Sequence, residues 1–418
     1  MKISRNFLTA LLFLFLFCFS ANGQVKRVKD LKPTVILISL DGFRSDYIDQ
    51  YNPPALNKLA REGVRARWMI PSFPTKTFPN HYTIATGLYP DHHGIIENNI
   101  YDSGFDAEFH LNERDEVEKG RWWGGEPIWV TAEKQGQTAA SFFFPGTESL
   151  IQGRRPTIWK AYDHQLPNEE RVDAVLTWFD LPKEKRPTII TMYFSDTDDA
   201  GHGFSPDAPE TRQAVLRVDA NIARLYEGLK QRKIEKKVNL IIVSDHGMAP
   251  YDPKNAIILD EMFDPEMAER IFWVGEFVQI FPKKGREKEI YDSLKAKLPA
   301  DAAIYRPSDF PARLHFGTNP RIAPIVVVPK EGFYLTNRKR FDEMKEEGRL
   351  EGMRGAHGYD NSLTSMRATF IAHGPAFKKH FIAEPFENIE IYNLMCRILK
   401  LKPAPNDGDL EKVRQMLR

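Results

Sequence analysis

The sequence predicts an α/β fold: a doubly wound, mostly parallel sheet flanked by helices, with a smaller α+β cap or insertion. Three observations lead there. First, residues 35–40, 189–194 and 238–244 are short apolar runs rich in β-branched or aromatic residues, as in strands buried on both faces. Second, helical patterns fall between them. One lies near 54–62 and is closed by Gly63, and a longer one spans about 209–232. In the longer one Val215, Val218, Ile222, Leu225 and Leu229 make a single apolar face. Strand, helix, strand in that order implies parallel pairing through crossover helices. Third, residues about 260–350 read differently, with a strand at 272–281, a helix at 287–298, a strand at 325–328 and no chemical motif. A further strand at 367–372 and a closing helix at 388–401 complete the fold.

The 418 residues suffice for a large core, whether as one large α/β unit or as two or three domains. A net charge of +1 implies no nucleic-acid-binding surface from bulk charge. Lys2 and Arg5, the apolar run 8–19 and Ala21-Asn22-Gly23 form a signal-peptide pattern over 1–23, too short for a stable membrane anchor. The mature chain then starts at Gln24, and 24–418 is the catalytic unit. Cys18 follows the bulky Phe17, which suits lipid attachment poorly. Only Cys396 remains after cleavage, within an amphipathic helix where it reads as core, and no Asn-x-Ser/Thr sequon occurs. An exported protein with one thiol and no sequon suits a bacterial periplasm better than an animal extracellular space.

Each of the three strands runs into candidate ligands. Asp41-Gly42 follows the first, Asp198-Asp199-Ala200-Gly201-His202 the second and Asp245-His246-Gly247 the third. Open α/β sheets bind ligands beyond the carboxyl ends of their strands. Gly355-Ala356-His357-Gly358-Tyr359 adds a further imidazole after the insertion. Carboxylate and neutral imidazole are what Zn²⁺ takes when no thiolate is offered, and three Asp with three His suit two ions. Asp198 and His202 are expected to share an ion from a short turn. Singly, each motif reads as a turn or a loop histidine; the joint arrangement carries the inference. His81, His92, His93 and His373 lack acidic neighbours in sequence and read as packed or hydrogen-bonded histidines.

Residues 64–70 read as a strand feeding the turn Pro71-Ser72-Phe73-Pro74-Thr75-Lys76, and a helix is expected from about Phe78. Thr77 is then its N-cap, with Pro79 in the first turn. Capping alone explains a threonine there. The same helix start also attracts phosphate, and a nearby metal would activate the hydroxyl as a nucleophile.

Thr77-Phe78-Pro79-Asn80-His81-Tyr82, the run Thr86-Gly87-Leu88-Tyr89-Pro90-Asp91-His92-His93-Gly94-Ile95 and Asn98 resemble the nucleotide pyrophosphatase/phosphodiesterases of the alkaline phosphatase superfamily. The resemblance continues through Asp41-Gly42-Phe43-Arg44, Asp198 to His202, Ser244-Asp245-His246-Gly247-Met248 and His357-Gly358-Tyr359-Asp360-Asn361. It reaches Gly374-Pro375-Ala376-Phe377 and Ile391-Tyr392-Asn393-Leu394-Met395, and so covers essentially the whole mature chain. It implies an alkaline-phosphatase-like fold and two Zn²⁺ ions. One is held by Asp198, His202 and His357, the other by Asp41, Asp245, His246 and the Thr77 oxygen. It further implies that Asn98 and the Thr77 amide hold a phosphate oxygen, and that Phe78 and Tyr193 grip the substrate. The implied reaction is hydrolysis of a small phosphodiester or nucleotide substrate through a phospho-threonine.

A sulfatase of this fold is excluded, because neither cysteine lies in a Cys/Ser-x-Pro-x-Arg setting. A phosphomonoesterase and a choline-lysophospholipid phosphodiesterase would share the metal site. A metal-stabilised secreted binding protein is the reading from another class; the hydroxyl ligand, which leaves an open site, argues against it. Lys76 and Arg44 are the two cations near enough in sequence to reach the phosphate. Trp122, Trp123, Trp129 and Trp159 line a base-stacking groove or belong to core and surface packing.

Overall fold

Thr34–Leu40 is the strand around which the sheet is built. The computed structural model, which describes residues 27–418, pairs it in parallel with Ile189–Phe194 on one side and Val238–Val243 on the other. The expected leader at 1–23 lies outside the described residues. The strand is apolar on both faces because both faces are covered. Val35 and Leu37 join a core shared with the helices Thr77–Thr86 and Glu390–Leu399. Ile36, Ile38 and Leu40 join another, shared with Asn168–Trp178 and Pro209–Gln231.

The sheet has eight strands, in the order Phe381–Ala383, Val64–Ala66, Phe370–His373, Val238–Val243, Thr34–Leu40, Ile189–Phe194, Ala139–Phe142, Ile158–Lys160. Phe370–His373 runs antiparallel to its neighbours, and the other pairings are parallel. That strand starts later than expected; Arg367, at its expected start, lies over the Trp68 ring, 3.8 Å from its centroid. The expected strand 64–70 breaks into Val64–Ala66 and Met69–Ile70. Gly63 does close Pro54–Glu62, but with φ −127°. Its small size is what the position needs, since a Cβ would lie 2.2 Å from the Ala372 carbonyl oxygen.

The apolar run 272–281 is not one strand. Ala268–Phe272 and Val278–Pro282 pair antiparallel around a turn in which the Phe277 N–H donates to the Val274 carbonyl. With Ile325–Pro329 and Ala302–Tyr305 they form a separate four-stranded sheet. Ile290, Tyr291 and Leu294 of the helix Glu287–Lys297 pack into its core. Trp122, Trp123 and Trp129 are buried in the core under the helix Thr77–Thr86, whereas Trp159 is only partly buried and sits against Arg155. Cys396 is buried core. Among the described residues no helix is long and apolar enough to cross a membrane.

Register decides what happens at the sheet edge. Ser39 lies opposite both Tyr193 and Val243, so the three central strands end at one level. The residues that follow them therefore emerge side by side.

Candidate active site

Asp41 turns into the edge just beyond Leu40. Its neighbour Gly42 has φ +63°, and a Cβ there would come within 3.0 Å of the Asp198 backbone. Only glycine lets the two chains approach this closely. Asp198 and His202 lie not on a short turn but on a helix, Asp196–Phe204, four residues apart and so on one face. Asp245 and His246 follow Val238–Val243, and His357 follows the strand Arg354–Ala356. The ligand atoms of Asp198, His202 and His357 lie within 4.8 Å of one another, and so do those of Asp41, Asp245 and His246.

The three imidazoles are oriented alike. Nδ1 of His202 faces the Gly355 carbonyl at 2.9 Å, that of His246 the Gly247 carbonyl at 2.8 Å, and that of His357 the Thr75 carbonyl at 2.8 Å. A carbonyl can only accept, so Nδ1 carries the proton and Nε2 keeps its lone pair. The Nε2 atoms of His202 and His357 then face each other at 3.1 Å, each 3.5 Å from Asp198 Oδ1. Nε2 of His246 lies 3.0 Å from Asp245 Oδ2 and 3.4 Å from Asp41 Oδ1. Asp41 Oδ1, Asp198 Oδ1 and Asp245 Oδ2 are buried without a hydrogen-bond donor. Lone pairs aimed at one another and at undonated carboxylate oxygens are what a cation satisfies, and this donor set fits Zn²⁺. The two groups adjoin: the His246 and His357 rings stack with centroids 3.6 Å apart.

Thr77 stands beside the second group, with Oγ1 3.4 Å from His246 Nε2. It is the first residue of the helix Thr77–Thr86, not its cap; Lys76 occupies the cap position in extended conformation without a side-chain bond. Asn98 Oδ1 accepts the Phe78 N–H at 2.9 Å, which leaves its amide nitrogen and the unpaired first-turn N–H of Thr77 as donors. Asn98, Phe78, Thr77 and Tyr193 line one cavity of ≈ 370 Å³ with Asp41, Asp198, His202 and His357. A larger cavity of ≈ 560 Å³ beside Asp196 and Arg217 includes neither complete ligand group, so size does not mark the site.

Two residues in this region escape sequence reasoning. His81 is packed and hydrogen-bonded, as expected, but its place is against the ligands: its ring bonds Ser39 and the Thr77 carbonyl, 3.3 Å from Asp245 Oδ2. Its acidic neighbour is tertiary, so no local signal exists. Tyr162, 38% exposed, lines the cavity from the irregular chain after Ile158–Lys160. Tyr193, which the resemblance places against the substrate, lines the cavity but is buried, and its hydroxyl donates to Asp41 Oδ2 at 2.5 Å. Phe78 is braced from behind by Phe109 and Trp123. Arg44 turns away, onto Asp46 and Asp207, and Lys76 pairs with Glu276. His93 is buried against Thr83, His92 pairs with Asp407, and His373 lies near Glu62.

Residues 35–360 match the family model for type I phosphodiesterase / nucleotide pyrophosphatase. The chain belongs to this family. It is 41% identical over 396 residues to the venom phosphodiesterase CdcPDE of Crotalus durissus collilineatus, a match covering 92% of this chain and 46% of that protein. It is 39% identical over 400 residues to ectonucleotide pyrophosphatase/phosphodiesterase family member 3 of Rattus norvegicus, covering 93% and 44%. The chain thus spans about half the length of the curated relatives it matches. The solved structure of murine ectonucleotide pyrophosphatase / phosphodiesterase 5 superposes with a TM-score of 0.85 at 32% identity, covering 92% of this chain and 100% of that one. An inactive threonine-to-alanine variant of that protein in complex with AMP gives the same TM-score over 93% and 100%. The alkaline-phosphatase-like fold is therefore shared with known members of the family.

Individual ligand residues differ in proton affinity. Burial lowers His357 well below the ordinary imidazole value, helped by the positive neighbours His246, Lys76 and His202. Burial also pulls on His246, but the Asp245 charge outweighs it and leaves His246 raised. Burial and the charges of Asp245 and Asp198 push Asp41 well up. Ligands must shed protons to bind metal. As pH falls, protons therefore compete for His246 and Asp41 before His357.

Proposed function

We infer that this chain is an exported two-zinc phosphodiesterase and nucleotide pyrophosphatase that works through a covalent phospho-threonine on Thr77. The observation that carries the reading is three imidazole Nε2 atoms and three carboxylate oxygens without a donor gathered beside a helix start whose first residue is a threonine. Asp198, His202 and His357 would hold one ion; Asp41, Asp245, His246 and Thr77 Oγ1 would hold the other. When bound, the ions neutralise phosphate charge and make the threonine hydroxyl easier to ionise.

The chain's own groups then divide the work. The Asn98 amide nitrogen and the Thr77 N–H donate to a non-bridging phosphate oxygen. The Thr77 oxygen bonds to phosphorus as the bond to the first alcohol or phosphate breaks. Water then cleaves the phospho-threonine, releasing a monoester and restoring the hydroxyl. Phe78 and Tyr162 offer aromatic faces to the substituent carried by the phosphorus, and the AMP complex of the structural neighbour supports a nucleoside monophosphate as that monoester. The venom phosphodiesterase and ectonucleotide names of the relatives support the same substrate class, and export. Those relatives are snake and rat proteins and lend a bacterial periplasm no support.

Thr77→Ala should abolish turnover on a p-nitrophenyl nucleotide diester while the fold persists. Thr75→Ala should behave differently. Its hydroxyl is buried, donating to the Tyr359 carbonyl and accepting the Gly358 N–H. Its loss should cost about 1–3 kcal/mol of stability and slow turnover only modestly. A dead Thr75→Ala beside an active Thr77→Ala would reassign the nucleophile.

Diesters should be preferred over monoesters. A monoester carries an extra negative charge and gains most from a cation on the oxygens that the metals leave uncovered. Asn98 is neutral there, and Arg44 and Lys76 are committed to carboxylates elsewhere. We expect kcat/KM for the nucleotide diester to exceed that for p-nitrophenyl phosphate by at least about a hundredfold, roughly 3 kcal/mol. Equal values would leave the threonine mechanism but remove the diesterase assignment.

Protein recovered from its native host should begin at Gln24, as intact-mass and N-terminal peptide measurement would read. A lipid on Cys18 would instead make it an anchored lipoprotein.

A further inference from the structure

Lys76 precedes the proposed nucleophile, yet its ammonium points away from the phosphate cavity. It lies 2.5 Å from Glu276 Oε2, with only 5% and 13% of the two side chains exposed. Glu276 stands in the turn between Ala268–Phe272 and Val278–Pro282, in the otherwise motif-free insertion. A second contact runs alongside: Phe277 meets Phe73, in the same Pro-rich turn as Lys76, with ring centroids 5.8 Å apart.

The pair is enclosed by the site itself. Gly358, the residue after His357, has φ +116°, and a Cβ there would lie 2.4 Å from Lys76 Cε and 3.1 Å from Glu276 Cβ. The preceding Thr75 holds the His357 loop through its carbonyl and hydroxyl. On another flank is Glu97, buried, with one carboxylate oxygen lacking a donor, and next in sequence to Asn98. Burial raises Glu97 to about 7, the Lys76 charge opposing and the Glu276 charge assisting, so all three charges sense one another. The Lys76 backbone is tied too: its N–H donates to the Pro74 carbonyl, and its own carbonyl accepts from the Asn80 N–H and side-chain amide. Lys76 thus carries both backbone and side-chain ties one position before the first helical residue, Thr77.

The geometry points to Glu276 as a positioning residue for the nucleophile: by anchoring Lys76, the insertion holds the turn that presents Thr77. Glu276 touches no reacting atom, and it gives the insertion a role in catalysis. The inference rests on the reading of Thr77 as nucleophile.

The test uses the full-length, zinc-loaded protein. Glu276→Gln keeps the shape and removes the charge, and Glu276→Asp keeps the charge but withdraws it by one methylene, in case the first variant does not fold. Either should lower kcat on a nucleotide diester by about thirtyfold, in keeping with sub-ångström misplacement of a reacting group, with KM changed less than about threefold. Two zinc ions should remain bound, and amide hydrogen exchange should rise in the peptide covering 71–82. Lys76→Met combined with Glu276→Gln should lose no more than the worse single variant, because both break one interaction. Wild-type kcat in the Glu276 variants, unchanged exchange at 71–82, or losses that multiply in the double variant would each overturn the inference. Should the wild type itself cleave no diester, the proposed function fails instead, and the exchange measurement still reports whether Glu276 holds the turn.

Discussion

Three carboxylates, Asp41, Asp198 and Asp245, are gathered at one edge of the sheet, two of them fully buried, and the rest of the site answers to that concentration of charge. An uncompensated buried carboxylate is costly, and neighbours of like sign make it costlier. Local groups answer part of it: Tyr193 donates to Asp41, the Gly42 N–H to Asp245, and His81 and His246 flank Asp245. The oxygens left over point into the two ligand groups. Asp41 and Asp245 answer the crowding oppositely. Burial and its neighbours raise Asp41, whereas the His246 and His81 charges overcome burial and hold Asp245 low.

What aims the imidazoles is backbone, not side chain. The Gly247, Gly355 and Thr75 carbonyls take the three Nδ1 protons. Gly247 and Gly355 lie in tightly packed chain: a Cβ would come within 2.0 Å of the Ser365 carbonyl oxygen at the first and 2.4 Å of the Gly201 carbonyl oxygen at the second. Gly201 belongs to the helix that carries Asp198 and His202. The ligand geometry thus depends on close backbone approach between segments distant in sequence, and a single methyl group at either glycine would force them apart.

Much of this was legible beforehand, and the reason is physical. A strand buried on both faces leaves an uninterrupted apolar run, so 35–40, 189–194 and 238–244 stood out, and the first polar residue after each run is near the edge of a parallel sheet. Errors fell where tertiary context overrides local signal. Asp196–Phe204 contains two glycines and three aspartates, poor helix formers, yet it is helical with Thr197, Ala200 and Gly201 buried and Gly201 close against Met248. The insertion hairpin was hidden because its reversal is short: only Gly275-Glu276 interrupts residues that otherwise read as one strand. Thr77 was one position off because its helix begins at an extended lysine with no capping side chain. The Trp122, Trp123 and Trp129 cluster could be placed only once the helix it supports was known.

The cavity has two ends of different construction. At one, the ligand groups rest on strand termini and on helices locked by glycine contacts, with little room for variation. At the other, Tyr162 comes from chain that follows the edge strand Ile158–Lys160, and Phe143 from chain that follows the next strand in, Ala139–Phe142. Phe143 even adopts φ +70°, a conformation that a bulky side chain takes only when its surroundings hold it there. Phe78 follows Thr77, the proposed nucleophile, in the first helical turn, and its backbone N–H anchors Asn98 while its ring lines the cavity. Phe109 and Trp123 hold that ring from behind, so a change made there to alter substrate choice would also disturb the helix start that presents Thr77.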